Sequence, residues 1–474
     1  MKNLLKSAAM ATGVVAFAAS AQADGHLYGP FLVTVKGYQG DAKNSVSYTG
    51  QIARHVLHDS LKALSGGGNG KPNPDLKARL TSYFSGKEDG RAIVAPASKE
   101  GFPILQTTVK QISGKKNLSG KTYGGAVSGW PNNMTGAEVI AFWIDKAAAA
   151  DGGYDMRHGY EYPQLISKFI MGAVFYNQVV DNYLDENLDA DKKPNDQPYS
   201  KGAPYTGKEH SWDEAFGYFG APAHALELTP QQVYDIAKRS PKALEAADRN
   251  GDGKVDLISE MTFGPAYYAA SFDASVYGSS NETRYLHRIV KAFLDGRKLL
   301  ADADGAKLTD AQRTTLKGHA ATIEKAWQAV LAEAVFKYAG SAYKDLQAVQ
   351  SVLDGKGDAS KATRSYVHHW SELKGFSLAL QTGRANLDET AVKLNRLIGY
   401  GPALANQSQV IGVNRDGAYL KGEGPTLGEY MLHMLKVQQL MVDAFGVQAR
   451  VNDKLADIKG LAGKINAGGS AEND

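Results

Sequence analysis

The chain has 474 residues, 43% of them hydrophobic, with 53 basic against 50 acidic side chains and a formal net charge of +3. So even a balance provides no basic field for nucleic acid, and the absence of cysteine rules out disulfides, lipid-acceptor thiols and thiolate metal sites. Any metal must then be held by nitrogen and oxygen ligands.

Lys2 and Lys6 precede an apolar stretch that ends in Ala21-Gln22-Ala23, the pattern of a cleavable export signal over residues 1–23. The stretch is too short and too alanine-rich for a membrane span. Nothing downstream approaches twenty uninterrupted apolar residues, so no transmembrane segment is expected. The expected location is the periplasm or the cell surface.

Beyond the leader, "FLVTV" from Phe31 is the best strand candidate, and helical spacing dominates everything else. Apolar residues recur three and four apart from Thr49, from Thr135, from Tyr162 through "YPQLISKFIMGAVFYNQVVDNYL", and from Pro425. Thr229 followed by Pro230 adds a helix start. Gly- and Pro-rich segments at about 65–133 and 186–208 read as long loops. The expected fold is all-α.

An internal repeat subdivides it. "HSWDEAFGY" from His210 and "HHWSELKGF" from His368 share H-x-W-x-E-x-x-G followed by an aromatic residue, which points to duplication. Weaker echoes link "GAVFYNQVVDNYLD" from Gly172 to "EAVFKYAGSAYKDL" from Glu333, and "LHDSLKAL" from Leu57 to "LHRIVKAF" from Leu286. The expected layout is a first helical half at 24–225, a linking helix and loop at 226–261, a second half at 262–448, and a C-terminal helix with a flexible tail at 449–474.

On a helix, His210, Glu214 and Gly217 share one stripe, as do His368, Glu372 and Gly375, while Trp212 and Trp370 point elsewhere, into the core. Imidazole and carboxylate four apart make half a site for a first-row metal, and the two copies together would make a whole one. His369 offers a second spacing to Glu372. A buried His/Glu pair copied by duplication would give the same letters, and both readings stay open.

In the link, Asp248, Asn250, Asp252, Lys254 (through its carbonyl) and Asp256 occupy positions 1, 3, 5, 7 and 9 of an EF-hand- or dockerin-like calcium loop, with Gly253 at the turn. Position 12 is Ser259, so Glu260 is the substitute acid. "GKKNLSGKT" from Gly114 imitates a phosphate loop with one residue too many and no leading strand. His58 and His287 read as helix residues satisfied by neighbours, and "PAYYAASFDASVYG" from Pro265 reads as pocket lining or packing.

The opening "YTGQIARHVLHDSLKAL", the duplicated helical plan and the two His/Glu motifs resemble the imelysin superfamily, and more closely an uncharacterised bacterial branch that carries H-x-W-D-E-A-F-G-Y-F-G with an acidic loop. The superfamily's G-x-H-x-x-E is met at His369 and Glu372, with Val367 in place of the glycine. The resemblance implies an exported protein of iron acquisition that binds a metal ion or a metal-bearing ligand such as haem between its halves, with an outer-membrane or surface receptor as a further partner. Its expected cofactors are calcium in the loop and iron or zinc at the His/Glu stripes. Two alternatives stay open: a metal-dependent peptidase or hydrolase, although no H-E-x-x-H is present, and a surface scaffold whose only metal is structural calcium.

Overall fold

The computed structural model describes residues 25–467, so the export signal at 1–23 and the tail beyond 467 lie outside the described residues. Fourteen α-helices dominate them. In chain order they are α1 (Thr49–Ser65), α2 (Pro74–Ser85), α3 (Gly136–Ala149), α4 (Tyr162–Ile170), α5 (Gly207–Phe219), α6 (Pro230–Lys238), α7 (Leu244–Ala247), α8 (Gly264–Ser275), α9 (Tyr285–Asp302), α10 (Asp310–Leu353), α11 (Ala359–Leu380), α12 (Asp388–Ile398), α13 (Leu427–Phe445) and α14 (Ile458–Ala467). Two antiparallel hairpins complete the fold: β1 (Tyr154–Asp155) with β2 (Tyr160–Glu161), and β3 (Ser408–Val413) with β4 (Tyr419–Glu423). The all-α expectation holds.

Local sequence sets many of the helix starts. α3, α5, α6, α10 and α13 each begin with a threonine whose side chain caps the third helical N–H while a Glu or Gln at that third position reaches back. This T-x-x-E/Q box satisfies donors that a helix end otherwise leaves bare. α4 runs on through π-helical turns at Met171–Tyr176 and Val179–Tyr183, so the long helical pattern from Tyr162 is one nearly continuous rod with widened turns.

Two expectations need correction, and one element was not foreseen. Phe31–Val35 forms no strand. Phe31 instead lies under the Arg297 guanidinium, 4.6 Å from ring centroid to Cζ, and Thr34 donates to Glu209, so buried polar and aromatic contacts replace a ladder. The segment 65–133 contains a capped helix, α2, with Asn73 at its N-cap and Pro74 at its first turn. The β3–β4 hairpin went unforeseen, because its exposed face carries Ile411 and Leu420 and blurs the alternation that marks a half-buried strand.

One continuous apolar core extends from Tyr28 to Ala449 and draws on both repeated parts of the chain. Within it, α11 crosses α4 at very short range. A Cβ at Gly375 would lie 2.6 Å from Lys168 Cβ, and one at Gly172 would lie 2.4 Å from the Ala379 backbone. That crossing brings one face of α11 against Lys168.

Candidate functional site

α11 carries the second motif copy along the rim of a cavity of about 690 Å³, walled by α1, α4, α8, α10 and α11. Trp370 anchors the helix from behind: it is fully buried and its indole N–H donates to Tyr430 Oη at 2.6 Å. The opposite stripe faces the cavity with His368, His369 and Glu372. Among the described residues these three form the group of metal-capable side chains whose ligand atoms lie within 4.8 Å of one another.

Each imidazole is held by a carboxylate from another element. His368 Nδ1 lies 2.6 Å from Glu161 Oε2, on β2, and His369 Nδ1 lies 2.6 Å from Asp345 Oδ2, on α10. Glu161 is itself fixed, its own N–H donating to Ser371 Oγ at 2.9 Å. His368 Nε2 then approaches Glu372 Oε2 at 3.5 Å, and Lys168 Nζ reaches Glu372 Oε1 at 3.2 Å.

These contacts set the protonation. Burial pushes His368 down, but the hydrogen bond it donates to Glu161 and the charge of Glu372 outweigh it, and the imidazole is held above its ordinary range. Burial would raise Glu372; Lys168, His368 and Lys62 more than offset it, so the carboxylate stays ionised. Lys62 is pushed down to about 7, first by the adjacent Lys168 ammonium and then by burial. Tyr267 and Tyr268 of the Tyr-rich stretch line the same cavity, with Tyr268 Oη 3.0 Å from Tyr338 Oη.

The first copy, on α5, is differently placed. Trp212 is again fully buried, donating to the Phe293 carbonyl at 2.7 Å, and Gly217 again permits a close helix contact, here against Tyr48 and Gln51 of the α1 start. His210, however, is packed between Tyr199 and Tyr205, with ring centroids 4.1 and 4.5 Å away, and sits 3.7 Å from Glu214. Glu214 accepts from Gln51 Nε2 at 2.7 Å. Burial lowers the His210 pKa. Neither His210 nor Glu214 lines the α11 cavity. The expected meeting of the two His/Glu pairs in one site does not occur, because loop 186–206 folds over the first copy while the second stays at an open rim.

The remaining acids of α5 have a separate task. Arg297 of α9, fully buried, donates through Nη1 to Glu209 Oε1 and through Nε to Asp213 Oδ1, both at 2.9 Å, and through Nη2 to Ser45 Oγ at 2.6 Å. Tyr28 adds a hydrogen bond to Asp213 at 2.8 Å. Glu209 also closes the α5 capping box, its Oε2 accepting the Thr206 N–H. This is a closed structural network.

In the calcium-type loop, the Asp248 carboxylate accepts the N–H groups of Gly251, Asp252 and Gly253, Asn250 accepts from Asp252, and Asp252 accepts from Lys254. Gly251 and Gly253 take positive φ, 74° and 80°, as so tight a turn requires. Asp256 binds Gln106 and Ser259. Glu260 is buried, and its two oxygens accept the N–H groups of Arg249, Asn250 and Asp256. It staples the loop from within.

His58 lines the cavity, but its Nε2 contacts Ser167 at 3.0 Å and its Nδ1 contacts Asp59 at 2.9 Å; His287 Nε2 meets the Leu228 carbonyl at 2.8 Å. The phosphate-loop imitation from Gly114 contains a short 3₁₀ turn at Ser119–Lys121 and leads into no α-helix. Sequence reading missed Glu161, Asp345, Lys168 and Lys62.

Residues 107–237 match the model of a family described as a domain of unknown function (DUF4856). The matched stretch contains Glu161, Lys168 and the α5 copy, and it ends before α11. No curated protein and no solved structure matches the chain.

Proposed function

We propose that this protein captures a metal-bearing small ligand in the cavity beside α11, with His368, His369 and Glu372 as the residues that would hold the metal. One observation carries the reading. Both imidazoles have Nδ1 bound to a carboxylate, at 2.6 Å in each case, which fixes the tautomer and leaves Nε2 for another partner. Metal-binding histidines are oriented in this way. Two nitrogens and an oxygen suit iron or zinc and leave coordination positions for donors brought by the ligand. A cavity of about 690 Å³ falls within the usual range for small-molecule sites.

The likeness to the imelysin superfamily supports placing this capture in iron acquisition, in an exported, periplasmic or surface protein whose cargo includes haem or another chelate, with a receptor as its further partner. His210 and Glu214 belong to the scaffold in this reading. Calcium in the loop from Asp248 to Asp256 is its companion: it would fix the link between the repeated parts without taking part in capture.

The test is metal titration of the mature protein, prepared without a His-tag, with Zn(II), Fe(III) and haem. About one metal or haem per chain is expected for the wild type and for His210→Ala/Glu214→Ala, and loss of binding is expected for His368→Ala/His369→Ala. Equal binding by the two double variants would overturn the assignment, as would no binding by the wild type.

A further inference from the structure

We infer that the ligand of the α11 cavity is an oxyanion, a small molecule bearing several carboxylate or phosphate groups, and that Lys62, Lys168 and Lys337 receive it. The inference rests on the capture reading for the site and deepens it to a ligand class. Five basic side chains line the cavity, Lys62, Lys168, Lys238, Arg239 and Lys337, against two carboxylates, Asp59 and Glu372.

The two carboxylates are already committed. Glu372 serves Lys168 at 3.2 Å, and Asp59 serves His58 at 2.9 Å. Among the described residues Lys62, Lys238 and Lys337 form no ion pair. Lys238 rests on the rings of Tyr234 and Tyr267, at 5.4 and 4.9 Å, and Lys337 lies over Tyr338 at 5.2 Å. Lys62 and Lys168 both line the cavity, where an oxyanion could take both amino groups as partners.

A metal ion held at His368, His369 and Glu372 would add to this excess, and an oxyanion bound with it would offset both. Like charges held close together in a partly buried site repel one another strongly. An oxyanion would remove the same penalty, and ammonium groups are apt point-charge partners for carboxylate or phosphate oxygens. The cation excess in a concave site would also raise the local concentration of such a ligand. The aromatic wall of Tyr267, Tyr268 and Tyr338 would cover its less polar face.

The experiment is calorimetric titration of the mature, metal-free protein with citrate and, separately, with pyrophosphate, at two salt concentrations. The wild type should bind at least one of them with salt-sensitive affinity: citrate alone identifies a carboxylate ligand, pyrophosphate alone a phosphate ligand, and both a general oxyanion site. Lys62→Met/Lys337→Met should weaken binding tenfold or more, while His210→Ala/Glu214→Ala, outside the cavity, should retain it. The lysine variant should melt no lower than wild type, since it relieves repulsion, and this separates lost binding from lost folding. Binding of neither anion, or binding indifferent to the lysine pair, overturns the inference. Metal binding without any anion binding would overturn it and leave the metal reading intact.

Discussion

α5 and α11 carry the same skeleton in different surroundings. In both, a tryptophan ties the helix to a neighbour through its indole N–H, and a glycine lets a second helix or its start come close. What differs is the set of residues between those anchors. Where α5 has Glu209, Ser211 and Asp213, α11 has Val367, His369 and Ser371. The first set feeds Arg297 and closes the helix into a buried charge network; the second removes those acids, adds an imidazole, and takes its carboxylates from β2 and α10. Shared residues fix where a helix lies, and the unshared ones decide whether its polar face is scaffold or site.

The strongest way to break this contrast is Arg297→Met. If the α5 acids are structural, removing their fully buried partner leaves Glu209 and Asp213 without a counter-charge, and breaking such a pair costs about 3–5 kcal/mol. Urea unfolding should report a loss of that size. A loss below about 1 kcal/mol would mean that the α5 network is not closed as described.

Next comes Glu161→Gln, aimed at the other copy. Its carboxylate holds His368 Nδ1 at 2.6 Å without being one of the three residues assigned to the metal. Loss of such an orienting partner should weaken metal binding about 10–100-fold. Direct competition with a chromogenic chelator measures it. An unchanged affinity would show that His368 needs no carboxylate to be placed, and the resemblance of the α11 site to an oriented metal centre would lapse.

Much of this contrast could be read in the chain beforehand. Several helices were legible because their apolar spacing is local, as was the Thr229–Pro230 start, and the paired motif was legible because it repeats. That Trp212 and Trp370 are anchors also followed from helical spacing. The site itself was not legible, since its deciding contacts join residues far apart in sequence. Asp345 meets His369 across 24 positions, and Glu161 meets His368 across 207. No periodicity connects β2 to α11. Arg297 was hidden for the same reason: it sits within an amphipathic helical pattern and looks like any solvated cation until Glu209 and Asp213 are seen against it. The calcium-type loop was legible in its acids, Glu260 among them, but the backbone N–H groups that Glu260 accepts from Arg249, Asn250 and Asp256 were not.

The finest distinction between the copies lies in how their histidines titrate in the metal-free protein. Burial lowers the His210 pKa, whereas Glu161 and Glu372 overcome burial and raise that of His368. The signs of the linked stabilities are therefore opposite. His210 contributes stability that is fully present above its unfolded-state pKa and declines as pH falls through that value towards the lower folded one. His368 contributes stability that is fully present below its unfolded-state pKa and is lost as pH rises through the higher folded one. Two resolved imidazole signals followed by NMR across the acid-to-neutral range should bracket the ordinary histidine value from either side, with His210→Gln and His368→Gln each deleting one of them. Should the two titrate together, the environments of α5 and α11 are alike in solution, and the division of one repeated motif into scaffold and site cannot stand.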